Sequence, residues 1–207
     1  IAGFRDALAA HKEGINRLNV YPVPDGDTGS NMALTLQSVV AEVDGADDDL
    51  ASVCKAIGHG ALMGARGNSG VILSQILRGL TQTLAAAPDG RVDGPLVARA
   101  LAVATEGAYE AVGNPVEGTI LTVIREASEG AAKAAESGAD LVGVLTAAQA
   151  QGHHALDRTP ELLPVLAAAG VVDAGGTGLL LLVDAFLLVI DGRPMPESSV
   201  TDAMADA

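Results

Sequence analysis

Apolar residues recur at helical spacing through most of the chain, and glycine, proline and aspartate interrupt them at intervals. Residues 3–19 show the pattern clearly, with Phe4, Leu8, Ile15 and Leu18 on roughly the period of an amphipathic helix. Convincing alternation of apolar and polar residues, which would indicate a strand, does not occur in the sequence. The pattern therefore predicts an all-α protein.

The interruptions divide the chain into about eight predicted helices. These cover residues 3–19, 30–43, 49–65, 70–87, 95–112, 120–137, 140–156 and 176–190, with a short further turn of helix within 159–169. This many helices in 207 residues favours one all-α domain, which we expect to extend over residues 1–192. Residues 193–207 turn polar after Pro194, and we expect them to form a tail or linker.

Composition narrows the possible partners. The net charge of −14 argues against binding to nucleic acid and against anchoring on anionic lipid. The single cysteine, Cys54, excludes an intramolecular disulfide and a cysteine-based zinc site, and fits a cytoplasmic protein. The most apolar run, Leu179 to Ile190, is too short to span a bilayer and is interpreted as a buried core helix.

Four loops concentrate glycine and polar residues immediately before a predicted helix. Their sequences are NVYPVPDGDTGSNM (19–32), GARGNSGVILSQ (64–75), GNPVEGTIL (113–121) and VVDAGGTGLL (171–180). The N-terminus of a helix presents unpaired N–H groups and a positive dipole end, which favours bound phosphate. Glycine allows a ligand to approach the backbone closely. Four such ends meeting at one place would bind an anion without many basic side chains.

Asp25 and Asp27, on either side of Gly26, give the most specific chemical signal in the four loops. Two carboxylates two residues apart in a tight loop can be directed at one point, and carboxylate oxygen is the ligand that Mg²⁺ prefers. The alternative interpretation is a turn closed by hydrogen bonds from the aspartate side chains to the backbone.

Other polar residues in these loops have two interpretations each. Ser69, Thr119 and Thr177 are either helix N-caps or phosphate contacts, and Asp173 either caps the last helix or faces a ligand. Arg66, the only basic residue in the four loops, either grips phosphate or lies on the surface.

Together the four loops closely resemble the amino-terminal kinase domain of bacterial fatty acid kinase, which is related to the nucleotide-binding L subunit of dihydroxyacetone kinase. The resemblance extends from about residue 3 to residue 192. It implies an antiparallel barrel of eight amphipathic helices, with ATP and two Mg²⁺ ions bound at one end.

The resemblance also implies roles for individual residues. It makes Asp25 and Asp27 the catalytic metal ligands, with Asn19 as the third ligand where the dihydroxyacetone kinases carry an aspartate. The nucleotide-binding positions that it implies are Ser30, Asn31, Asn68, Ser69, Gly70, Thr119, Ile120, Asp173 and Gly175. Ala174 departs from the pattern, because the relatives carry a proline there.

The reaction implied is transfer of the γ-phosphoryl group of ATP to a fatty acid carboxylate, giving an acyl phosphate. In this family a separate fatty-acid-binding protein presents the acid and binds domains downstream of the kinase domain, so we expect little complete activity from residues 1–207 alone. A homodimer is compatible with the sequence. Two alternatives stay open, namely a dihydroxyacetone kinase L subunit and a non-catalytic barrel that binds lipid or a partner. The PVPDGDTG sequence, where dihydroxyacetone kinases carry GDGDHG, favours the fatty acid kinase.

Overall fold

The computed structural model describes residues 1–197, and within them all regular structure is helical. The ten helices are α1 (Ala2–Leu18), α2 (Thr28–Val43), α3 (Leu50–Gly64), α4 (Gly67–Leu84), α5 (Gly94–Glu110), α6 (Ile120–Glu136), α7 (Leu141–Asp157), α8 (Thr159–Leu162), α9 (Pro164–Ala169) and α10 (Ala174–Asp191). A single 3-10 turn, Pro88–Gly90, connects α4 to α5. The all-α prediction is confirmed.

Eight long helices form a closed ring. Each of the helices from α1 to α7 packs against the next along the chain, α7 packs against α10, and α10 packs back against α1. The ring encloses an aliphatic core, in which Phe4 is the only fully buried aromatic side chain of the described residues. Because α1 and α10 are neighbours, no long helix is left at an open edge.

Close approach between neighbouring helices depends on small residues. A Cβ atom on Gly79 of α4 would lie 2.6 Å from the Cα of Ala104 on α5, and one on Gly29 of α2 would lie 2.4 Å from the carbonyl oxygen of Lys12 on α1. These positions therefore set the distance between adjacent helices. The abundance of alanine and glycine in the sequence serves this packing.

Several helices begin at an aspartate whose side chain accepts a hydrogen bond from the first turn. Asp49 accepts from the amide of Ser52 at 2.9 Å, Asp93 starts α5 and Asp140 starts α7 in the same way. A side chain that satisfies a first-turn amide stabilises the start of the helix. These three caps lie at one end of the ring, where α1 also begins and α10 ends.

The opposite end of the ring gathers the N-termini of α2, α4, α6 and α10. This arrangement follows from the antiparallel order of the helices, because every second helix begins at the same end. Helix α1 begins and α10 ends at the other end of the ring, where Gly3 approaches Leu188.

The segment after α10 is partly fixed to the ring. Arg193 donates to Thr146 on α7 at 2.8 Å, and the backbone oxygen of Pro196 lies 3.0 Å from a ring nitrogen of His11. The predicted tail over 193–207 therefore has contacts in its first residues, and its remainder, 198–207, lies outside the described residues.

Helix α10 is long and apolar enough, by length and composition, to cross a membrane, and it is the only such helix of the described residues. Two thirds of its apolar window is buried inside the ring. It is the core helix that the sequence predicts over residues 176–190.

Candidate active site

One pocket of about 520 Å³ opens at the end of the ring where α2, α4, α6 and α10 begin. All four loops singled out in the sequence contribute to its walls. The predicted site residues that line it are Asn19, Asp25, Asp27, Asn31, Asn68, Ser69, Thr119, Ile120, Asp173 and Gly175. Ser30 and Gly70 lie behind this wall. The convergence of the four loops, expected from the sequence, is present in the fold.

Asp25 and Asp27 face solvent at the mouth of this pocket. Both are exposed, and neither carboxylate makes a hydrogen bond or an ion pair within the described part of the chain. The intervening Gly26 has φ +66°, a left-handed conformation that favours glycine and turns the loop sharply between them. The loop therefore does form a turn, which was the alternative interpretation of these residues. However, neither carboxylate makes a hydrogen bond that closes this turn.

Asn19 was expected to be the third metal ligand, but its side chain makes hydrogen bonds within the protein. Its Oδ1 accepts hydrogen bonds from the amides of Asp27 (3.1 Å) and Thr28 (3.3 Å). Its Nδ2 donates to the carbonyl oxygens of Val23 (3.1 Å) and Tyr21 (3.4 Å). The structure thus contradicts a free ligand oxygen at Asn19, because the loop itself occupies the whole amide.

Ser30 is likewise held by the protein. Its amide donates to Oδ1 of Asn16 at 3.1 Å, and its hydroxyl accepts from Nδ2 of Asn16 at 3.0 Å. Ser30 does not line the pocket, and its amide and its hydroxyl oxygen both bind Asn16, so the structure gives no support to the expected phosphate contact. With Asn19 bound to Thr28, the side chains of α1 satisfy most of the first-turn amides of α2.

The first turn of α4 is the open helix end in the site. The helix begins at Gly67, so that Asn68 and Ser69 lie inside its first turn, and Ser69 does not act as its N-cap as the sequence suggested. The N-cap residue Arg66 makes no side-chain capping bond; its guanidinium contacts the backbone of Ala65 and does not line the pocket. Backbone N–H groups in a first turn have no partner within the helix and are available to an anion.

Two glycines bring this turn against α2. Gly67 has φ +58°, and a Cβ atom there would lie 2.3 Å from Nδ2 of Asn31. Gly70 is buried, and a Cβ atom would lie 2.5 Å from Oγ1 of Thr35, so its role is close packing behind the pocket. Gly70 was expected to contact phosphate directly, but in the structure it packs against α2 behind the pocket.

The N-termini of α6 and α10, in contrast, are capped by their own side chains. Thr119 Oγ1 accepts from the amide of Leu121 at 3.3 Å, and an oxygen of Asp173 accepts from the amide of Gly176 at 2.7 Å. Burial raises the pKa of the Asp173 carboxyl to about 6, and hydrogen bonds from the amides of Gly176, Ile120 and Gly175 counteract only part of this effect. Asp173 thus joins the beginnings of α6 and α10 across one pocket wall.

The remaining wall is apolar and includes side chains that the sequence analysis did not single out. Val71 and Ile72 of α4 face the pocket together with Val112 and Val116 of the loop between α5 and α6. The sequence predicts a helix up to residue 112 and a loop from residue 113, whereas α5 ends at Glu110. A flat apolar ligand group fits such a wall, next to the polar end formed by α4 and the aspartates.

Glu117 fixes the α5–α6 loop from outside the pocket. Tyr109 donates to its Oε1 at 2.8 Å, and Arg125 donates to its Oε2 at 3.2 Å. Burial raises the pKa of the Glu117 carboxyl, but hydrogen bonds from Thr122, Tyr109 and Arg125 outweigh it and leave the pKa below the ordinary value. The carboxylate is therefore ionised at neutral pH, and the loop is tied to α5 and α6.

The charge of the pocket limits what it can bind. Its lining contains Asp25, Asp27 and Asp173 and no lysine, arginine or histidine among the described residues. The described residues also contain no group of three or more His, Cys, Asp or Glu side chains that could hold a metal. The two free carboxylates fit a hard divalent cation that completes its shell with water and ligand oxygens, as Mg²⁺ does.

Comparison with known proteins gives consistent results. The profile of the DAK2 domain matches residues 22–188. The chain is 44% identical over 200 residues to Protein YloV of Bacillus subtilis, which covers 96% of this chain and 36% of that protein. It is 41% identical over 187 residues to a protein of Staphylococcus aureus strain N315, covering 90% of this chain and 34% of that one. The chain therefore spans about a third of the length of these relatives.

The fold also matches a solved structure, the dihydroxyacetone kinase from C. freundii in complex with AMP-PNP and Mg²⁺. The TM-score is 0.64 at 21% sequence identity, and the match covers 89% of this chain and 32% of that one. The native form of the same kinase gives a TM-score of 0.65. At this identity the likeness concerns the fold. The match over residues 22–188 shows that the chain belongs to the DAK2 domain family, whose name refers to dihydroxyacetone kinase.

Proposed function

We propose that this chain is the ATP·Mg²⁺-binding domain of a kinase that phosphorylates the carboxylate of a fatty acid. The observation that carries the proposal is the composition of the pocket, in which two unpartnered carboxylates, an open helix N-terminus and an apolar wall surround one cavity. The carboxylates suit the cation of a nucleoside triphosphate, the helix N-terminus suits its phosphates, and the apolar wall suits its base. The C. freundii kinase of the same fold was solved with AMP-PNP and Mg²⁺, which supports this choice of ligand.

The residues of the chain divide the work of binding. Asp25 and Asp27 would hold Mg²⁺, which supplies positive charge to the phosphates in a pocket without basic side chains. The first-turn amides of α4 donate to phosphate oxygens, and the wall of Val71, Ile72 and Val112 contacts the base. Catalysis then depends on positioning and on charge stabilisation.

A carboxylate acceptor suits this site because it needs no general base. A fatty acid is already ionised at pH 7, so its oxygen can attack the γ-phosphorus without losing a proton. The bond from that phosphorus to the β–γ bridging oxygen breaks, ADP leaves, and an acyl phosphate forms. We propose that a fatty-acid-binding protein presents the acid at the pocket mouth, with portions of the kinase downstream of residue 207, in the cytoplasm.

Nucleotide binding is the first test of the proposal. Calorimetric titration of ATP is expected to show binding that requires Mg²⁺ and that Asp25→Asn weakens at least about tenfold. Asp47→Asn is the matched control, because it removes the same charge from an exposed residue on the loop between α2 and α3. Equal ATP·Mg²⁺ affinity in Asp25→Asn and the wild type would contradict the site.

The acceptor requires a separate experiment. ATP consumption is measured with the protein-bound fatty acid and with dihydroxyacetone, using a full-length relative such as the B. subtilis protein alongside this chain. Acyl phosphate formed from the fatty acid alone supports the proposal. Phosphorylation of dihydroxyacetone instead would favour the alternative that the domain's structural neighbours suggest.

A further inference from the structure

We propose that Asn19 is a positioning residue, whose side-chain amide holds the loop that carries Asp25 and Asp27 and does not bind the metal. The inference rests on the proposed function, because its main consequence is measured through Mg²⁺-dependent nucleotide binding. It concerns a position where an aspartate would supply a third carboxylate, and it predicts that an aspartate is harmful in this chain.

The hydrogen bonds of Asn19 carry the argument. The residue follows the last turn of α1 and is 6% exposed. Its oxygen accepts from two amides at the start of α2, and its nitrogen donates to two carbonyl oxygens of the preceding loop, at Tyr21 and Val23. One amide group thus connects the loop on the N-terminal side of the carboxylates with the helix on their C-terminal side.

The chemistry of the amide explains why asparagine fits here. An asparagine side chain both donates and accepts, whereas an ionised aspartate only accepts. An aspartate at position 19 would keep the bonds from Asp27 and Thr28 but would place a second oxygen against the carbonyl oxygens of Tyr21 and Val23. Two partly buried hydrogen bonds would lose their donor, and like partial charges would face each other.

A second asparagine, within α1 itself, completes the clamp. Asn16 binds both the amide and the hydroxyl of Ser30, two residues further into α2 than Thr28. Its backbone oxygen also lies 3.7 Å from the place where a Cβ atom on Gly26 would stand. The loop with the two carboxylates is therefore held from α1 at both of its ends, and the carboxylates themselves remain free for a ligand.

The test compares Mg²⁺ dependence in Asn19→Asp and the wild type, with ATP binding followed by calorimetry at increasing Mg²⁺. A positioning role predicts that Asn19→Asp raises the half-saturating Mg²⁺ concentration at least about tenfold, because two hydrogen bonds are lost. Gln82→Glu is the control, since it makes the same amide-to-carboxylate change on an exposed residue near the far end of α4. Unchanged or tighter Mg²⁺ binding in Asn19→Asp would overturn the proposal and favour a ligand role.

A measurement without ligand separates this proposal from the proposed function. Amide hydrogen exchange in the wild type, without nucleotide or Mg²⁺, is expected to show protection of Asp27 and Thr28 N–H. Exchange of both at the rate of an unstructured chain would overturn the clamp even if ATP binds. If the wild type does not bind ATP but both amides are protected, the proposed function fails and the clamp stands.

Discussion

The buried carboxyl of Asp173 provides a quantitative test of the site. Burial raises its pKa to about 6 from the ordinary 3.8, so the folded protein binds its proton more tightly than the unfolded chain does. The resulting stabilisation is fully present below pH 3.8 and is lost as the pH rises through 6. The full span corresponds to about 3 kcal/mol, and about 2 kcal/mol of it falls between pH 4.5 and 7.

The assay is urea unfolding of the wild type and of Asp173→Asn at several pH values. The asparagine does not titrate, so the difference in unfolding free energy between the two proteins isolates this carboxyl from all others. Between pH 4.5 and pH 7, we expect the unfolding free energy of the wild type to fall by about 2 kcal/mol relative to that of Asp173→Asn. A difference that stays constant over this range, or that shifts towards the wild type, would refute the reasoning.

Four glycine substitutions test the packing and the pocket. Gly79→Ala places a Cβ atom 2.6 Å from the backbone of α5 and should cost about 1–3 kcal/mol in urea unfolding, whereas Gly107→Ala, whose nearest neighbour is a backbone oxygen at 3.4 Å, should be neutral or stabilising. Equal losses in both would contradict the close approach of α4 and α5. Gly67→Ala should lose about 1 kcal/mol through its positive φ and weaken ATP binding by displacing Asn31, as measured by melting and calorimetry. Gly45→Ala, which lies outside the pocket and whose nearest neighbour is a backbone oxygen at 3.7 Å, should change neither.

The fold followed closely from the pattern of the sequence. Long amphipathic segments bounded by glycine, proline and aspartate predicted the number of long helices and, in most cases, their ends within two residues. The start of α4 was wrong because Ser69 resembles a cap, whereas the left-handed Gly67 lets the helix begin three residues earlier than predicted. The segment over 159–169 divides into two short helices at Leu163, the residue before Pro164.

The site was predicted in its location but not in its internal bonding. Loops rich in glycine before helices indicated where a ligand could bind, and those loops meet at one pocket. Which polar side chains point outward and which are used by the protein depends on contacts between α1 and α2, and no local pattern reports those. Asn16 gave only a weak signal, as an amide in the middle of a helical segment, and the sequence did not predict the hydrogen bonds of Asn19 to the start of α2. The roles of Asp25 and Asp27 remain predictions.

The closed ring has a consequence for how other parts of a protein can reach the pocket. Helix α1 begins and α10 ends at the end of the ring opposite the pocket, and α10, at 18 residues, is about 27 Å long. Chain that continues from either point must cover that length before it can reach the pocket, which requires at least about eight extended residues. A short tether would hold a partner away from the mouth, and lengthening it by insertion would tune the local concentration of the partner at the site. The length of the tether is thus a means of adjusting access to the pocket that leaves every residue of the pocket unchanged.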